Sequence, residues 1–460
     1  MYPFRILILL SFLFSFGPSV KAQSEPRPAL LKNKLSTYLN IIHQKKGFHG
    51  EVLVAKGTDI IFQRSVGMAS VEHNLKLING KKYRIASISK TFTGTLAAIA
   101  ERQKKISFDD KAVRYIKNLP DTFEEITIYQ LLTHTSGLPH NEGIEDYWTI
   151  KSKLQLTHDQ IMNEINKLSL IAPPGSKMHY SSIGYYLLAT ILENVYQQDL
   201  KQVLHNELFL PAGMNTTGVA NSLHIVPGLV PGYHLVSDDS VVTPPYRNYS
   251  MLKGAGDMYS TAEDLLKWNL QLMSGDLISK QTIKAIFTSH PLVDKKGRRY
   301  GLGWFIRQEK PLKYYHGGGT WGYSSHTSYY PEERLSIILL SNRSTLPVES
   351  IATDLEYILF GKPFTMPKRE RSIASGLNDL SLYTGNYESP SGRMKLSIIK
   401  KNGQLFARLA ANPPFRIYPK GNHLFFGKKV EIELSFKIKD GEISGLTGER
   451  MGRKFQFRKL

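Results

Sequence analysis

The feature that most constrains this chain is a change of texture across residues 362–378. That stretch is basic and carries Pro363 and Pro367. After it, apolar and polar residues alternate: Met394, Leu396 and Ile398, then Ile432, Leu434, Phe436 and Ile438. Turn signals recur at Ser389-Pro390-Ser391-Gly392, Lys401-Asn402-Gly403, Asn412-Pro413-Pro414, Lys420-Gly421-Asn422 and Lys439-Asp440-Gly441. Short period-two segments punctuated this often bury an apolar face by forming a small antiparallel barrel or sandwich. Before the break, helical and strand patterns are mixed. One core cannot serve both textures, so two units are expected, residues 23–361 and 379–460, joined by a linker over 362–378.

Within the first unit, Glu51 to Ala55 and Ile60 to Ser65 read as strands around a Lys56-Gly57-Thr58-Asp59 turn. A helix is predicted from Ser87 to about Gln103, with Leu96, Ile99 and Ala100 at helical spacing. A second apolar helix runs from Gly184 to about Tyr196. Ser260-Thr261-Ala262-Glu263 reads as a capping box with Ser260 as the cap, opening a helix that Gly275 stops. Lys313 to Tyr315, Ser324 to Tyr330 and Leu335 to Leu340 read as strands, the last apolar throughout and therefore buried on both faces. Pro347 to Phe360 is a closing helix, ended by Gly361. Early and late strands imply one sheet made by both ends of an α+β domain.

Composition narrows the function. The chain is 41% apolar and has no cysteine, which excludes disulfides, thiol catalysis and zinc-thiolate sites. There is no HExxH, and no metal or cofactor is expected. Residues 1–22 read as a signal peptide, with Arg5, an apolar run from Ile6 to Phe16 and small residues in Val20-Lys21-Ala22. That run is too short to span a membrane, so export in soluble form, to the periplasm or beyond, is expected. Removing Arg5 and Lys21 with that segment lowers the net charge from +20 to +18. The basic residues are dispersed, so no nucleic acid partner is expected, whereas contact with an anionic cell envelope fits the charge.

Three elements carry chemistry. Ser87-Ile88-Ser89-Lys90 places a lysine one turn after a serine, on the same helical face, where a depressed pKa would let it take the hydroxyl proton. The S-x-x-K spacing recurs at Ser250 to Lys253 and Ser397 to Lys400, but only the Ser87 copy opens an apolar helix, and the last lies in a predicted strand. Taken alone, that copy also fits a plain capping serine. Tyr180-Ser181-Ser182 directly precedes the second apolar helix, and His316-Gly317-Gly318 lies on a strand before a glycine turn.

In order and context these elements resemble the serine β-lactamase and penicillin-binding superfamily, with its S-x-x-K, Y-x-N and K-T-G or H-x-G motifs. Leu131 to Pro139 is similar to that family's LLTHTSGLP stretch, Tyr300 to Trp304 to its YGLGW, and Leu339 to Asn342 to its LSN strand end. The likeness covers about residues 35 to 360 and is nearest the class C β-lactamase-like branch of D-amino-acid peptidases, carboxypeptidases and esterases. The piece beginning Tyr383-Thr384-Gly385-Asn386-Tyr387 resembles a lipocalin-like barrel.

The resemblance implies a β-lactamase/DD-peptidase-like fold and an acyl-enzyme on Ser87. Lys90 and Tyr180 would share the general-base and general-acid work, with the lysine ammonium favouring a tyrosinate. The oxyanion hole would be the backbone N–H groups of Ser87 and Gly319, and Ser182, His316, Gly317 and Gly318 would contact substrate. Two departures stand out. Ser182 replaces the usual asparagine, and Gly317 lacks the threonine hydroxyl that helps hold a substrate carboxylate. Both weigh against efficient β-lactamase activity. His134 is read as a loop anchor, and the absence of G-x-S-x-G argues against an α/β-hydrolase. Trp321 and Tyr323 either line the cleft or pack under a loop. The expected activity is hydrolysis of a small-molecule or peptide amide, or of an ester, in a D-amino-acid or cell-wall context, with β-lactam binding. An esterase, a weak β-lactamase and a non-hydrolytic penicillin-binding sensor are the alternatives.

Overall fold

The fold was obtained as a computed structural model. It describes residues 28–460 except 221, 236–240, 276, 345, 368–378, 391, 393, 411–413, 428–431 and 451–452. The signal segment, most of the linker, and Ser391, Asn412 and Pro413 of the turn signals therefore lie outside the described residues.

Helix α1 (Pro28–Lys46) leads into the hairpin β1 (Gly50–Lys56) and β2 (Asp59–Val66). Helices α2 (Ser89–Arg102), α3 (Ser182–Tyr196) and α4 (Ala262–Ser274) follow. Next come β3 (Arg299–Tyr300), β4 (Phe305–Arg307), β5 (Lys313–Thr320), β6 (Tyr323–Tyr330) and β7 (Leu335–Ser341), then α5 (Val348–Leu359). The sheet order is β3-β4-β5-β6-β7-β1-β2, so both ends of the domain build it, as the pattern predicts. Pairing is antiparallel throughout, with Gly50 opposite Ser341 and Thr320 opposite Tyr323.

Every residue of β7 is buried. Ile338 and Leu340 join the core containing Phe92 and Leu96 of α2, Leu187 of α3 and Trp268 of α4. Ile337 and Leu339 point the other way, to Leu35 and Leu39 of α1 and Ile351 and Leu355 of α5. Helices on both faces thus explain the unbroken apolar run. Each such side chain contributes about 1.5–3 kcal/mol relative to exposure.

Two local expectations change. Helix α4 is capped by Thr261, whose hydroxyl accepts from Asp264 N at 3.2 Å, and not by Ser260. Ser260 still belongs to an extended segment pairing with Tyr83, and its hydroxyl meets that of Thr217 at 2.7 Å, so Thr261 is the first residue free to cap. Helix α2 begins at Ser89 rather than Ser87, because Ala86 to Ile88 form a 3-10 turn first.

The second unit is a closed eight-stranded barrel of β8 (Gly385–Glu388), β9 (Lys395–Lys401), β10 (Gln404–Leu409), β11 (Phe415–Gly421), β12 (Leu424–Gly427), β13 (Ile432–Lys439), β14 (Glu442–Arg450) and β15 (Arg453–Lys459). Leu396, Ile398, Leu434 and Phe436 point inward, as alternation predicts, while Met394 and Ile438 are exposed where the ladder ends. Eight strands leave room for side chains and little else. Here Tyr383, Phe425 and Phe436 meet edge to face with centroids 4.7–5.4 Å apart.

Candidate active site

Ser87 sits in the 3-10 turn that precedes α2. Ala86 enters it with φ +46°, a conformation that alanine rarely adopts. The capping reading of Ser87 does not hold: the N-cap of α2 is Ile88, with no side-chain cap bond. Ser89 supplies the local back-bond, donating to Ala86 O at 2.6 Å. The Ser87 hydroxyl instead faces Lys90 Nζ at 3.4 Å.

Lys90 has no solvent exposure. Its ammonium donates to Ala255 O at 2.7 Å and Ser182 Oγ at 3.1 Å, and lies 4.9 Å from the Tyr180 ring centroid and 5.5 Å from that of Tyr185. Burial dominates and brings its pKa down to about 7, against the opposing pull of Asp257. Asp257, itself buried, is pushed up to about 7 by the same desolvation. Lys90 is therefore poised to exchange a proton near neutrality.

Tyr180 sits on the segment leading into α3. Its hydroxyl is sealed from solvent, with Ser87 as a polar neighbour but no well-formed hydrogen bond. Burial pushes this phenol well above the ordinary tyrosine range, and the influence of Ser87 only partly offsets it. This corrects the tyrosinate expectation: desolvation disfavours the phenolate more than nearby positive charge favours it, so the lysine is the first of the pair to lose its proton.

Ser182 is buried and its hydroxyl oxygen accepts from Lys90, while its N–H donates to His140 Nδ1 at 3.0 Å. Its side chain thus completes the lysine's shell. His316 is also buried, behind Tyr180, Tyr300 and Phe305. Its Nδ1 lies 2.7 Å from Gly317 O, which can only accept, so Nε2 accepts from Tyr300 Oη at 3.1 Å. Burial, reinforced by Lys90, holds its pKa down to about 3, so the ring is neutral at ordinary pH.

Gly318 explains the close approach of β5 to the nucleophile turn. A Cβ there would lie 2.1 Å from Ile85 O. Gly319 is exposed and a Cβ on it would meet nothing within 4 Å, so its backbone borders open space. Gly317 points to the opposite face, toward Glu349 of α5.

The remaining candidates fall into place around these groups. His134, at φ +61°, accepts from Ser181 N at 3.2 Å through Nδ1 and from His179 N at 2.8 Å through its carbonyl, anchoring the segment that bears Tyr180. Tyr323 packs under a loop, donating to Val230 O at 2.6 Å, whereas Trp321 is partly exposed beside Trp148 and Arg247. The Ser250 hydroxyl accepts from Leu156 N, and Lys253 is paired to Glu193. The Ser397 copy lies in a strand, as expected. Sequence reasoning missed His140, Asp257 and Ala255. Gly254-Ala255-Gly256-Asp257 carried the one available signal, two glycines flanking a tight backbone approach.

The Beta-lactamase family profile matches residues 41–359. A penicillin-binding protein of Bacillus subtilis is 29% identical over 432 residues, covering 88% of this chain and 94% of the relative. The octameric penicillin-binding protein homologue from Pyrococcus abyssi has a TM-score of 0.64 at 22% identity, over 93% of this chain and 99% of its own, a coverage that takes in the barrel. A D-amino acid amidase from Ochrobactrum anthropi SV3 has a TM-score of 0.58 at 21% identity, over 69% of this chain and 90% of its own. Since the matched span holds Ser87, Lys90, Tyr180 and the sheet edge they face, the chain belongs to the β-lactamase family of serine hydrolases.

Proposed function

We propose that this chain is an exported acyl-serine hydrolase that cleaves an amide or ester, with D-amino-acid-containing peptides or related cell-wall amides as its substrate class. The observation that carries the reading is the 3.4 Å approach of Lys90 Nζ to Ser87 Oγ at a lysine closed off from water. The D-amino-acid context is supported by the likeness to a penicillin-binding protein and a D-amino acid amidase. Export is supported by the pattern of residues 1–22.

In this reading Ser87 Oγ attacks the carbonyl carbon while its proton passes to neutral Lys90 Nζ, and the carbonyl electron pair moves onto oxygen. The N–H groups of Ser87 and Gly319 receive that oxyanion; one such donor is worth about 2.7–4 kcal/mol of barrier. Collapse breaks the bond to the leaving nitrogen or oxygen, which takes the Tyr180 hydroxyl proton as Lys90 reprotonates the tyrosine. Water then attacks the Ser87 ester by the same relay, releasing the acid and restoring the serine.

The test is covalent labelling with a fluorescent penicillin and a fluorophosphonate, with the adduct located by peptide mass. Turnover is then measured on D-aminoacyl amides, D-Ala-D-Ala peptides, nitrocefin and p-nitrophenyl esters. Ser87→Ala should fold and not label. An adduct on another residue, or labelling that survives in Ser87→Ala, would refute the assignment.

A further inference from the structure

Arg247 is a buried cation with no anion to match it. It is 9% exposed and forms no ion pair among the described residues. One terminal nitrogen donates to Tyr147 Oη at 2.8 Å, and Nε is sealed from solvent without a partner. The other terminal nitrogen is neither sealed nor partnered, so it is the donor open to an incoming group. Three rings surround the guanidinium: the centroids of Tyr147, Trp148 and Trp321 lie 5.8, 5.3 and 5.6 Å from its carbon. Glu142, the carboxylate whose charge is felt at Tyr147, is exposed and not paired to Arg247. Buried charges are ordinarily paired.

This cation stands between the two walls of the site. On one wall, Trp321 follows Gly319 by two residues, about 7 Å along the chain. On the other, Tyr147 Oη also accepts from Asn141 Nδ2 at 2.9 Å, and the adjacent His140 accepts from Ser182 N. His140 feels the cations of both: burial first, then Lys90, His179 and Arg247, bring its pKa down to about 3. Arg84, three residues before Ser87, repeats the pattern. It lies over the Tyr249 ring, 4.0 Å from the centroid, and donates to Ala220 O at 3.4 Å, again with no ion pair among the described residues. Tyr180, which serves the leaving group, packs against Phe305 and His316, and His316 precedes Gly319 by three residues. Trp321 and Arg247 lie beyond the far end of β5, so the acyl part of a substrate held at Gly319 extends toward them.

We infer that Arg247 binds a carboxylate carried on the acyl part of the substrate, with Trp148 and Trp321 flanking the chain that bears it. The inference rests on the hydrolase reading above and deepens it by naming the substrate class: acyl groups with an anionic end. A hydrogen bond between two ionised groups is about twice as strong as a neutral one, and the apolar rings around Arg247 keep water from competing for it.

The experiment uses the purified full chain and p-nitrophenyl esters of adipic and suberic acid, each with its far end as a free carboxylate or a methyl ester. The leaving group is the same throughout, so the ratio of kcat/KM for carboxylate over methyl ester reads the acyl end alone. For the wild type that ratio should be at least about tenfold at one chain length and should fall toward one at high salt. Arg247→Gln should bring it below about twofold, and Arg247→Lys, which keeps the charge, should lie between, with melting temperatures confirming that both fold. A wild-type ratio near one at both lengths would overturn the inference while the hydrolase reading stands. So would a ratio that Arg247→Gln leaves unmoved or, should that variant not fold, that Arg247→Lys leaves unmoved. Failure to cleave any of the esters would overturn both.

Discussion

Replacing Gly318 by alanine tests how closely β5 must approach the turn carrying Ser87. The added Cβ would lie 2.3 Å from Ser325 Oγ and 2.1 Å from Ile85 O. The serine hydroxyl can rotate away, but the Ile85 oxygen is backbone, two residues before the nucleophile. To restore the 3.0 Å that real Cβ contacts keep, strand and turn must part by about 0.9 Å. Overpacking of this kind costs typically about 1–3 kcal/mol of stability. Activity should suffer more, because misplacing reacting groups by about 1 Å costs on the order of 100-fold, or about 2.7 kcal/mol of barrier. Gly319→Ala is the matched control for stability, since its Cβ meets nothing within 4 Å. The assay pairs thermal melting with the rate of fluorophosphonate labelling at Ser87. A Gly318→Ala protein that melts and labels like the wild type would show that the strand does not set the position of the nucleophile.

Three further outcomes are expected. Acylation should rise with pH to a plateau above about 7, because buried Lys90 acts as a base only once neutral; Lys90→Ala should lose orders of magnitude in rate together with that limb, and a flat wild-type profile from pH 5.5 to 8.5 would refute the assignment. Burial holds Glu51 up to about 7 from 4.5, so its contribution to stability is complete below about 4.5 and is lost as pH rises through about 7; Glu51→Gln should therefore melt higher than the wild type at pH 8 and lose that advantage at pH 5, and an unchanged difference would show that Glu51 does not titrate there. A fragment of residues 23–361 should be soluble, melt cooperatively and label at Ser87, whereas insoluble or unreactive protein would mean that the barrel is part of the catalytic unit.

Most of the architecture was legible because burial follows period. The alternation in β9 and β13 and the unbroken run in β7 each state which faces are covered, and S-x-x-K at the head of an apolar helix states which serine has a lysine above it. What could not be read depends on three-dimensional encounters. The positive φ of Ala86 has no local signature, since alanine is not a residue that advertises a left-handed turn. The protonation order of Lys90 and Tyr180 depends on how completely neighbours from α3 and the Gly254–Asp257 loop exclude water. Glu349 comes beside Gly317 from a helix that the sequence marks only as closing the domain. The α4 cap moved by one residue because Ser260 was already engaged in a strand pair.

The sheet order also governs when this molecule can exist. β1 sits between β2 and β7, and its partner Ser341 follows Gly50 by 291 positions. At synthesis rates of about 5–20 residues per second, roughly 15–60 s separate the emergence of the hairpin from that of the strand that covers it. During that interval Val52, Leu53 and Val54 lie along an open apolar edge, a template for pairing with another chain. Closure over so long a loop makes the last strand the committing step of folding. Until β7 arrives, Ser87 has no β5 at its back, so the nucleophile is assembled only in a completed domain.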